Sequence, residues 1–336
     1  MTEPEYVVAI GASAGGLDSL AELVKNLETK GKVAYCIVLH LSNKGIGEHV
    51  LFRLRKVTSI PCSLANDGQV LESDHIYVAR PNHHLLVKEG KMLLGHGPQE
   101  NRWKPSIDVL LRSAAVAYRS RTIGIILSGR LNDGTSGMWA IKRSGGVCII
   151  QDPDQAEYPD MPKSVMNQMD VDYVAKLSEM GRLISDIADR EKVEDISVPE
   201  EVIRESTIAE QMATGIDAVS QLKSETSVLA CPDCGGSLWK VNADGNNNRY
   251  RCHIGHAYTE EDLVFRQAYG IESTLWVALR MMEERKHLLS NMEVDNKKRG
   301  YTTMVSSYNE KQKEMNRHID QLKEMLTKLD KEGVKT

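Results

Sequence analysis

The chain lacks three features that would place it at a membrane, outside the cell or on nucleic acid. It has no apolar run long enough to cross a bilayer, and its first residues, MTEPEYVVAI, are acidic where a secretory signal would be basic. Its 42 Lys and Arg stand against 47 Asp and Glu, so the basic excess that phosphate backbones and anionic lipids attract is missing. The sequence therefore predicts a cytoplasmic protein that neither inserts into a membrane nor binds nucleic acid.

Cysteine is also sparse, and three of the six residues, Cys36, Cys62 and Cys148, stand alone. Such spacing excludes the disulfide framework of a small secreted protein. We interpret these three residues as reduced, buried apolar side chains. The length of 336 residues allows two domains, or one domain with a long extension.

The first half of the chain alternates β-branched apolar runs with amphipathic stretches, which is typical of a parallel sheet covered by helices. Strands are predicted at residues 6–10, 33–39, 122–127, 146–151 and 172–175, and helices at 17–27, 46–56 and 107–118. Shorter runs at 75–79, 84–87 and 91–94 are separated by turn residues and predict a hairpin or meander. The predicted fold class is α/β, a doubly wound and mostly parallel sheet with a small antiparallel flap.

Composition predicts where this first domain ends. The chain becomes charged and poor in large apolar residues between residues 190 and 205, so we expect a domain of residues 1–190 and a linker with a helix over 191–228. A cysteine-containing module is predicted at 229–260, and a helical hairpin or coiled-coil tail at 261–336. Apolar stripes on the two tail helices predict that they pair with each other, or with a second copy or another protein; the stripes are Ile271, Leu275, Ala278, Leu279 and Met282 on one helix, and Ile319, Leu322, Met325, Leu326 and Leu329 on the other.

A serine lies in the glycine-rich turn that follows the first strand. Residues 7–16, VVAIGASAGG, predict a buried strand, a tight turn and the start of a helix, with Ser13 raised above the edge of the sheet. Free main-chain N–H groups at the helix start could stabilise an oxyanion there. The alternative is a phosphate-binding dinucleotide loop, although the glycines run G-x-x-x-G-G and not G-x-G-x-x-G.

A histidine and an aspartate occupy equivalent positions after two other strands. His40 ends the strand at 33–39, and Asp133 lies in the loop after the strand at 122–127. The C-terminal ends of parallel strands open on one edge of the sheet, so Ser13, His40 and Asp133 could meet there as nucleophile, proton carrier and orienting carboxylate. The alternatives are that His40 is a core histidine and that Asp133 caps the helix beginning near Ser136.

Four stretches, in order along residues 6–190, resemble the protein-glutamate methylesterase (CheB-type) family of bacterial chemotaxis. They are Ile10-Gly11-Ala12-Ser13-Ala14-Gly15-Gly16, Pro105-Ser106-Ile107-Asp108-Val109-Leu110, Asn132-Asp133-Gly134-Thr135-Ser136-Gly137, and Gln151-Asp152 followed by Met161-Pro162. The resemblance implies hydrolysis of γ-glutamyl methyl esters on chemoreceptor helices through an acyl-enzyme, often with deamidation of receptor glutamines. The family's catalytic residues map onto Ser13, His40 and Asp133, and no cofactor is implied for catalysis.

The sequence departs from the family's common pattern close to these residues. Ala14 follows the nucleophile where threonine is common, Leu41 and Ser42 follow His40, and Arg130 and Leu131 precede the aspartate loop. We expect the main-chain N–H groups around Ala14 and Arg130 to support the oxyanion despite these changes. Because the chain begins close to the first strand, we also expect no receiver domain, so control would come from elsewhere or activity would be constitutive.

The late cysteines form a separate motif. Cys231 and Cys234 make a CxxC pair, and Cys252 and His256 follow after a polar, glycine-rich excursion. Thiolates and imidazole at this spacing predict a structural zinc site, with His253 as the alternative fourth ligand. A redox-active or metal-free CxxC is the competing interpretation. Two competing functions also stay open for the whole chain, a catalytically silent scaffold and a nucleotide-binding α/β domain.

Overall fold

The computed structural model describes residues 2–40, 46–190, 196–214, 226–242 and 248–333. The chain divides into two compact units, Met1–Glu260 and Glu261–Thr336. Within the described ranges, none of the helices combines the length and the apolar character that a bilayer crossing needs. The departures at Leu41 and Ser42 lie outside the described residues.

The first unit contains thirteen strands and seven helices among its described residues. In chain order they are β1 (Tyr6–Ala12), α1 (Gly16–Lys25), β2 (Val33–Leu39), α2 (Ile46–Arg55), β3 (Cys62–Leu64), β4 (His75–Val78), β5 (His84–Lys88), β6 (Lys91–Gly95), α3 (Ile107–Tyr118), β7 (Thr122–Ile126), α4 (Thr135–Arg143), β8 (Val147–Gln151), α5 (Asp160–Gln168), β9 (Tyr173–Ala175), α6 (Leu177–Ala188), α7 (Glu200–Thr214), β10 (Thr226–Ala230), β11 (Ser237–Asn242), β12 (Asn248–Cys252) and β13 (Ala257–Thr259).

The main sheet has seven strands in the order β3-β4-β2-β1-β7-β8-β9, and every neighbouring pair is parallel. β1 shows why: Tyr6, Val8 and Ile10 enter one apolar core while Val7 and Ala9 enter the other. A strand with both faces buried needs helices on both sides of the sheet. The predicted doubly wound α/β fold is confirmed.

The helices divide between the two faces accordingly. Residues of α1, α2 and α6 contribute to the first core, and residues of α3, α4, α5 and α7 contribute to the second. The antiparallel pair β5–β6 also packs into the second core, through Leu85, Val87 and Met92. Strand ends at the C-terminal edge of the sheet therefore lie between two helical layers.

One part of the predicted flap is wrong. The run at 75–79 was expected to join an antiparallel meander, but β4 pairs in parallel with β2 and β3 inside the main sheet. β3, a strand of three residues, was not predicted. Only β5 and β6 form the antiparallel flap, since the chain turns away after β4 at Asn82, whose φ is 62°.

α7 extends the first unit beyond the predicted boundary at Arg190. It begins at Glu200, and its Val202 is buried in the core beneath α3. The helix predicted within residues 191–228 is described from Glu200 to Thr214, and residues 191–195 and 215–225 of that segment lie outside the described residues. The domain boundaries at 190, 228 and 260 therefore stay predictions.

β10–β13 form a four-stranded antiparallel sheet, here called the ribbon. The side chains of two β12 arginines, Arg249 and Arg251, extend from the ribbon and are buried against the α/β layer. Arg251 Nη2 lies 2.9 Å from Glu100 and 3.1 Å from Glu205 of α7. The ribbon is thus joined to the α/β layer by buried charge.

Three arginines and three carboxylates make up this group, here called the ion cluster; they are Glu100, Asp108, Arg112, Glu205, Arg249 and Arg251. The formal charges cancel, which a buried group of ions requires if it is not to leave one charge unpaired. Its members come from four separated segments of the chain. The cluster therefore depends on the tertiary fold and also holds it together.

The arginines change how the acids of the ion cluster titrate. Burial by itself would raise the pKa of Glu100, but Arg112, Arg251 and Arg249 hold it well below its usual range. Burial also favours a higher pKa for Glu205. The charges of Arg251, Arg249 and Arg112 outweigh this effect, so the pKa of Glu205 is lowered as well. Both acids are ionised in the folded protein at neutral pH.

The second unit consists of α8 (Glu260–Lys298) and α9 (Thr302–Gly333). Leu279, Ile319 and Leu326 are its buried centre, and an ion pair joins Lys323 to Glu283 at 2.9 Å. The two helices pair with each other, as their stripes predict. Among the stripe residues whose side chains are described, Ile271 and Met325 differ from that prediction because they are exposed; the side chain of Leu329 lies outside the described part.

Acid should destabilise the first unit through Glu100 and Glu205. Both groups bind a proton more weakly in the folded protein than in the unfolded chain, where the pKa is near 4.5. Their contribution to the free energy of unfolding is therefore complete above that pH and is lost as the pH falls below it. The difference between the free energies of unfolding in urea at neutral pH and at about pH 3 measures this loss.

The double variant Glu100→Gln/Glu205→Gln should be less stable than the wild type at neutral pH, because it leaves three buried arginines short of partners. Its free energy of unfolding should also fall less on acidification. Glu48→Gln, at an exposed position of α2, is the control and should behave as the wild type. An equally steep acid dependence in the double variant would contradict this prediction.

Candidate active site

Ser13 and His40 follow adjacent strands at the C-terminal edge of the main sheet. β1 and β2 run in register to the pair Ala12 and Leu39, and His40 N–H donates to Ala12 C=O at 3.0 Å. Ser13 and His40 are therefore the next residues on neighbouring parallel strands, whose spacing is about 4.8 Å. Both are buried.

Asp133 reaches the same edge from the loop after β7. Its Oδ2 lies 2.9 Å from His40 Nε2, and both side chains are almost fully buried. The ring is not in linear hydrogen-bond alignment with the carboxylate, and neither imidazole nitrogen has a partner that meets hydrogen-bond geometry. No hydrogen bond joins His40 to Ser13 in this arrangement. Nδ1 is the ring nitrogen that is not beside Asp133, and it is buried without a hydrogen-bond partner.

The Asp133 carboxylate lies at the N-terminus of α3. The main-chain N–H of Ile107 donates to Oδ2 at 2.7 Å, and the Ser106 hydroxyl donates to Oδ1 at 3.0 Å. Asp108 N–H makes a longer contact of 3.3 Å with Oδ1. The first N–H groups of a helix have no partner within the helix and favour a negative charge. α3 therefore provides the binding site for this buried carboxylate.

Asn101 connects Asp133 to a second buried acid. Its Nδ2 donates to Asp133 Oδ1 at 2.9 Å and to Asp108 Oδ2 at 2.6 Å. Burial opposes, but His40, Asn101 and the Ile107 N–H together overcome it and lower the pKa of Asp133. Burial and the neighbouring Asp133 charge raise the pKa of Asp108 to about 6. The pKa values of the two acids are thus moved apart, and Asp133 is the acid whose ionised form is favoured.

Asp108, and not Asp133, pairs with the start of α4. Asp108 Oδ1 accepts hydrogen bonds from the N–H groups of Gly134 at 3.0 Å and Gly137 at 2.7 Å. The residue at the N-cap position of α4 is Gly134, with no side-chain cap. The alternative that Asp133 merely caps this helix is therefore wrong.

Trp103 covers one face of His40. The two rings are stacked, with centroids 4.1 Å apart and planes 9° from parallel. An indole face attracts a cation, and the imidazole becomes one when it accepts a proton. His40 thus has a carboxylate at one nitrogen and an aromatic face against its ring, so it is not a simple core histidine.

Of the two residues expected to support an oxyanion, one is next to Ser13 in the chain and the other follows a residue packed against Ser13. Ala14 follows it, and Gly129, which precedes Arg130, lies so close that a Cβ added there would be 2.9 Å from Ser13 Cβ. The Arg130 side chain is exposed, with its guanidinium 4.7 Å from the centre of the Tyr158 ring. This contact places the Arg130 charge against the Tyr158 ring.

The glycine-rich turn is poorly arranged for a nucleotide. Ser13 N–H donates to Ser128 C=O at 3.0 Å, and Gly16 N–H donates to Ser13 C=O at 2.8 Å. A phosphate-binding loop needs such N–H groups to be free. Two of its donors are already used within the fold, which disfavours the nucleotide-binding alternative.

Asn101, Ser106 and Asp108 were not identified as site residues from the sequence. Ser106 and Asp108 lie in one of the stretches that carried the family resemblance, so the signal was present without an assigned role. Asn101 precedes that stretch in a polar loop and gives no periodic signal. Only the folded chain brings it beside Asp133.

The ribbon brings the four predicted metal ligands together. The ligand atoms of Cys231, Cys234, Cys252 and His256 all lie within 4.8 Å of one another. Cys234 and Cys252 sulfurs are 3.6 Å apart, and His256 Nδ1 is 3.4 Å from Cys252 Sγ. Tetrahedral zinc with Zn–S bonds of about 2.3 Å separates two sulfurs by about 3.8 Å, so the spacing fits.

His253 lies outside this group. Its ring is beside Gly236, where an added Cβ would be 2.5 Å from Cε1, and it makes an edge contact with Trp239. Among the described residues, His256 is therefore the imidazole that faces the three thiols.

Gly129→Ala should slow chemistry at Ser13 without unfolding the protein. The new Cβ would be 2.0 Å from Met161 Sδ and 2.9 Å from Ser13 Cβ, so the flexible methionine can yield but the serine must shift. A misplacement of a reacting group by about 1 Å can cost on the order of 10² in rate. The measurement is the rate at which a fluorophosphonate modifies Ser13.

Gly270→Ala, in α8 where nothing lies within 4 Å of an added Cβ, is the matched control and should leave that rate unchanged. A Gly129→Ala protein that is folded and reacts as fast as the wild type would contradict the close packing assigned to this turn.

Known proteins of similar sequence cover the α/β part of this chain. A relative from Leptospira interrogans is 36% identical over 178 residues, which is 52% of this chain and 91% of that protein. A Thermotoga maritima relative named protein-glutamate methylesterase/protein-glutamine glutaminase is 33% identical and matches 50% of each chain. This chain therefore spans half the length of that relative.

A solved structure agrees with the sequence matches. The crystal structure of the Thermotoga maritima CheB methylesterase catalytic domain superposes with a TM-score of 0.52 at 29% identity, covering 54% of this chain and 98% of that domain. A family model described as CheB methylesterase matches residues 8–184, more than half of the 336 residues. The chain belongs to the CheB methylesterase family.

Proposed function

We propose that the α/β layer hydrolyses γ-methyl esters of glutamyl side chains on chemoreceptors and deamidates receptor glutamines, with Ser13, His40 and Asp133 as its catalytic triad. The observation that carries this proposal is the buried His40–Asp133 pair, 2.9 Å apart and next in register to Ser13. Membership of the family supplies the reaction class, and the names of the relatives supply the substrate. A chain that only served as a scaffold would not need this pair.

The proposed reaction follows the positions of the three side chains. Asp133 occupies the Nε2 side of His40, so His40 Nδ1 is the atom that would accept the Ser13 proton as the serine oxygen attacks the ester carbonyl. As the C–O bond breaks, His40 gives the proton to the departing methoxide oxygen and methanol leaves; in a deamidation the C–N bond breaks, the proton goes to the departing amide nitrogen, and ammonia leaves. Water attacks the acyl-enzyme by the same route and restores Ser13.

The missing Ser13–His40 hydrogen bond is compatible with this path, because catalytic hydrogen bonds often tighten only when substrate is bound. We propose that the main-chain N–H groups of Ala14 and Arg130 hold the oxyanion that forms on the attacked carbonyl. Such donors are independent of the side chains that differ from the common family pattern. Catalysis by this route needs no cofactor.

The partner proposed for this layer is a methylated chemoreceptor, a helical protein. We further propose that α8 and α9 recruit a second copy of the chain or another protein, since Phe265, Trp276 and Met281 are among the large apolar side chains exposed on α8. A cytoplasmic location, and the absence of nucleic acid from the list of partners, stay predictions from composition.

Loss of the nucleophile should abolish the reaction. Ser13→Ala should lower kcat by on the order of 10⁴ or more, and Asp133→Asn by about 10⁴, because the imidazole loses its orienting carboxylate. The measurement is methanol release from a methylated receptor, with mass spectrometry of receptor peptides to locate each lost methyl group.

Ser185→Ala, at a buried position of α6, is the matched control and should retain full activity. Release of methanol by Ser13→Ala at the wild-type rate would remove Ser13 as nucleophile. No release by the wild type would remove the methylesterase assignment.

We propose a structural zinc at Cys231, Cys234, Cys252 and His256. Four protein ligands leave no open coordination position, so the metal would stabilise the ribbon and take no part in hydrolysis. Protein purified without chelator should contain about one zinc per chain, and Cys231→Ser should lose it. Cys62→Ser, which alters a buried cysteine of β3, is the control and should keep the metal. Wild-type protein free of zinc would contradict the proposal.

A further inference from the structure

The loop before α3 contains a tight turn formed by residues 100–103, here called the 100–103 turn. Glu100 and Trp103 exchange main-chain hydrogen bonds of 3.1 and 3.0 Å. Both central residues have positive φ, 50° at Asn101 and 69° at Arg102. Asparagine tolerates this region, but arginine adopts it at a cost that surrounding contacts must offset.

This single turn supplies two of the side chains that contact the His40–Asp133 pair. Asn101 donates to the Asp133 carboxylate at 2.9 Å, and Trp103 stacks on the His40 ring at 4.1 Å. A small rotation of the 100–103 turn would displace both contacts together. The orientation of His40 therefore depends on what holds the turn in place.

The ribbon holds it. Asn101 N–H donates to Ala257 C=O of β13 at 3.0 Å, so the turn is bridged to the ribbon edge through the main chain. Arg251 of β12 contacts the Glu100 carboxylate at 2.9 Å, and Arg249 contacts it too. Glu100, Arg249 and Arg251 are almost fully buried. A charged hydrogen bond is strong in such surroundings, and the loss of one partner is costly.

Two of the three ribbon residues that contact the turn lie next to the proposed zinc ligands. Arg251 precedes Cys252, and Ala257 follows His256. The β12–β13 hairpin thus carries half of the ligand set and the contacts to the 100–103 turn on the same short segment. The position of the 100–103 turn therefore depends on the order of this hairpin.

We propose that the β12–β13 hairpin is a positioning element of the active site, which acts on His40 and Asp133 through Trp103 and Asn101 of the 100–103 turn. Trp103 stabilises the imidazolium that forms as Ser13 attacks, because its indole face lies against the ring. The proposal rests on the proposed function only in taking Ser13, His40 and Asp133 as the triad. It assigns Trp103 and Arg251 as positioning residues.

The test uses the full chain and a fluorophosphonate, which acylates the serine without any receptor. The maximal inactivation rate reports on chemistry, and the probe concentration at half-maximal rate reports on binding. Trp103→Ala should lower the maximal rate about tenfold with little change in probe binding, and Trp103→Phe should restore most of it because an aromatic face returns. Phe52→Ala, which removes an exposed aromatic ring of α2, is the control and should match the wild type.

Arg251→Met tests the connection to the ribbon. It fills the arginine's space without the charge, and should lower the maximal rate in the same direction as Trp103→Ala. The double variant Trp103→Ala/Arg251→Met should lose little more than the larger single loss, because both changes act through the 100–103 turn. Should Arg251→Met fail to fold, Glu100→Gln takes its place in the cycle, because it removes the Arg251–Glu100 ion pair, together with the pairs of Glu100 to Arg112 and Arg249, with nearly unchanged shape.

Three results would overturn the proposal alone: a wild-type rate in Trp103→Ala, an effect only on probe binding, or independent effects of Trp103 and the ribbon variant. The second of these would instead make Trp103 a substrate contact. A wild type that the probe does not label, or equal labelling of Ser13→Ala, would overturn the assignment of Ser13 and this proposal with it. Failure to release methanol from receptors would remove the substrate and leave the positioning role standing.

Discussion

The buried carboxylate of Asp133 is the fixed point on which the rest of the site depends. A negative charge removed from water must be paired, and α3 supplies two main-chain N–H groups and the Ser106 hydroxyl for that purpose. His40 and Asn101 complete its surroundings. The loop after β7, the start of α3 and the end of β2 are therefore held together by one charge.

A second buried centre lies one residue contact away. Asn101 links Asp133 to Asp108, and Asp108 lies 4.0 Å from both Arg112 and Arg249 of the ion cluster. The ion cluster in turn joins α3, α7 and the ribbon. Polar groups in such a low-dielectric network affect one another more strongly than they would in water. Stability of the ribbon contact and orientation of the catalytic pair thus share the same set of side chains.

The ribbon also changes how the family fold should be understood in this chain. The family match ends at residue 184, yet α7 and β12 both place charged side chains against α3, beside the Asp133 site. The α/β layer shared with the family is therefore only part of the environment of the catalytic pair. The remaining part comes from residues 200–260, which no catalytic motif marks.

Much of the main sheet could be predicted because its strands are buried on both faces and have long β-branched runs, as in β1, β2 and β7. β3 was not predicted, and β4 was predicted as a strand but not as a member of the parallel sheet, because so short a run does not reveal its pairing partner. Ser13, His40 and Asp133 could be singled out because each follows a strand that ends at the same edge. Asn101 and Trp103 could not, because they belong to a turn whose position is set by the ribbon.

The order of strands and helices, the residues at the ends of β1, β2 and β7, and the CxxC motif were determined by the sequence itself, since local periodicity and ligand spacing are properties of short segments. Only the tertiary structure decided that His256 faces the thiols, that Asp108 and not Asp133 pairs with α4, and that two ribbon arginines lie buried beside Glu100. Those outcomes depend on contacts between residues as far apart as Glu100 and Arg251, and the pairing of buried charges at that separation leaves no pattern along the chain.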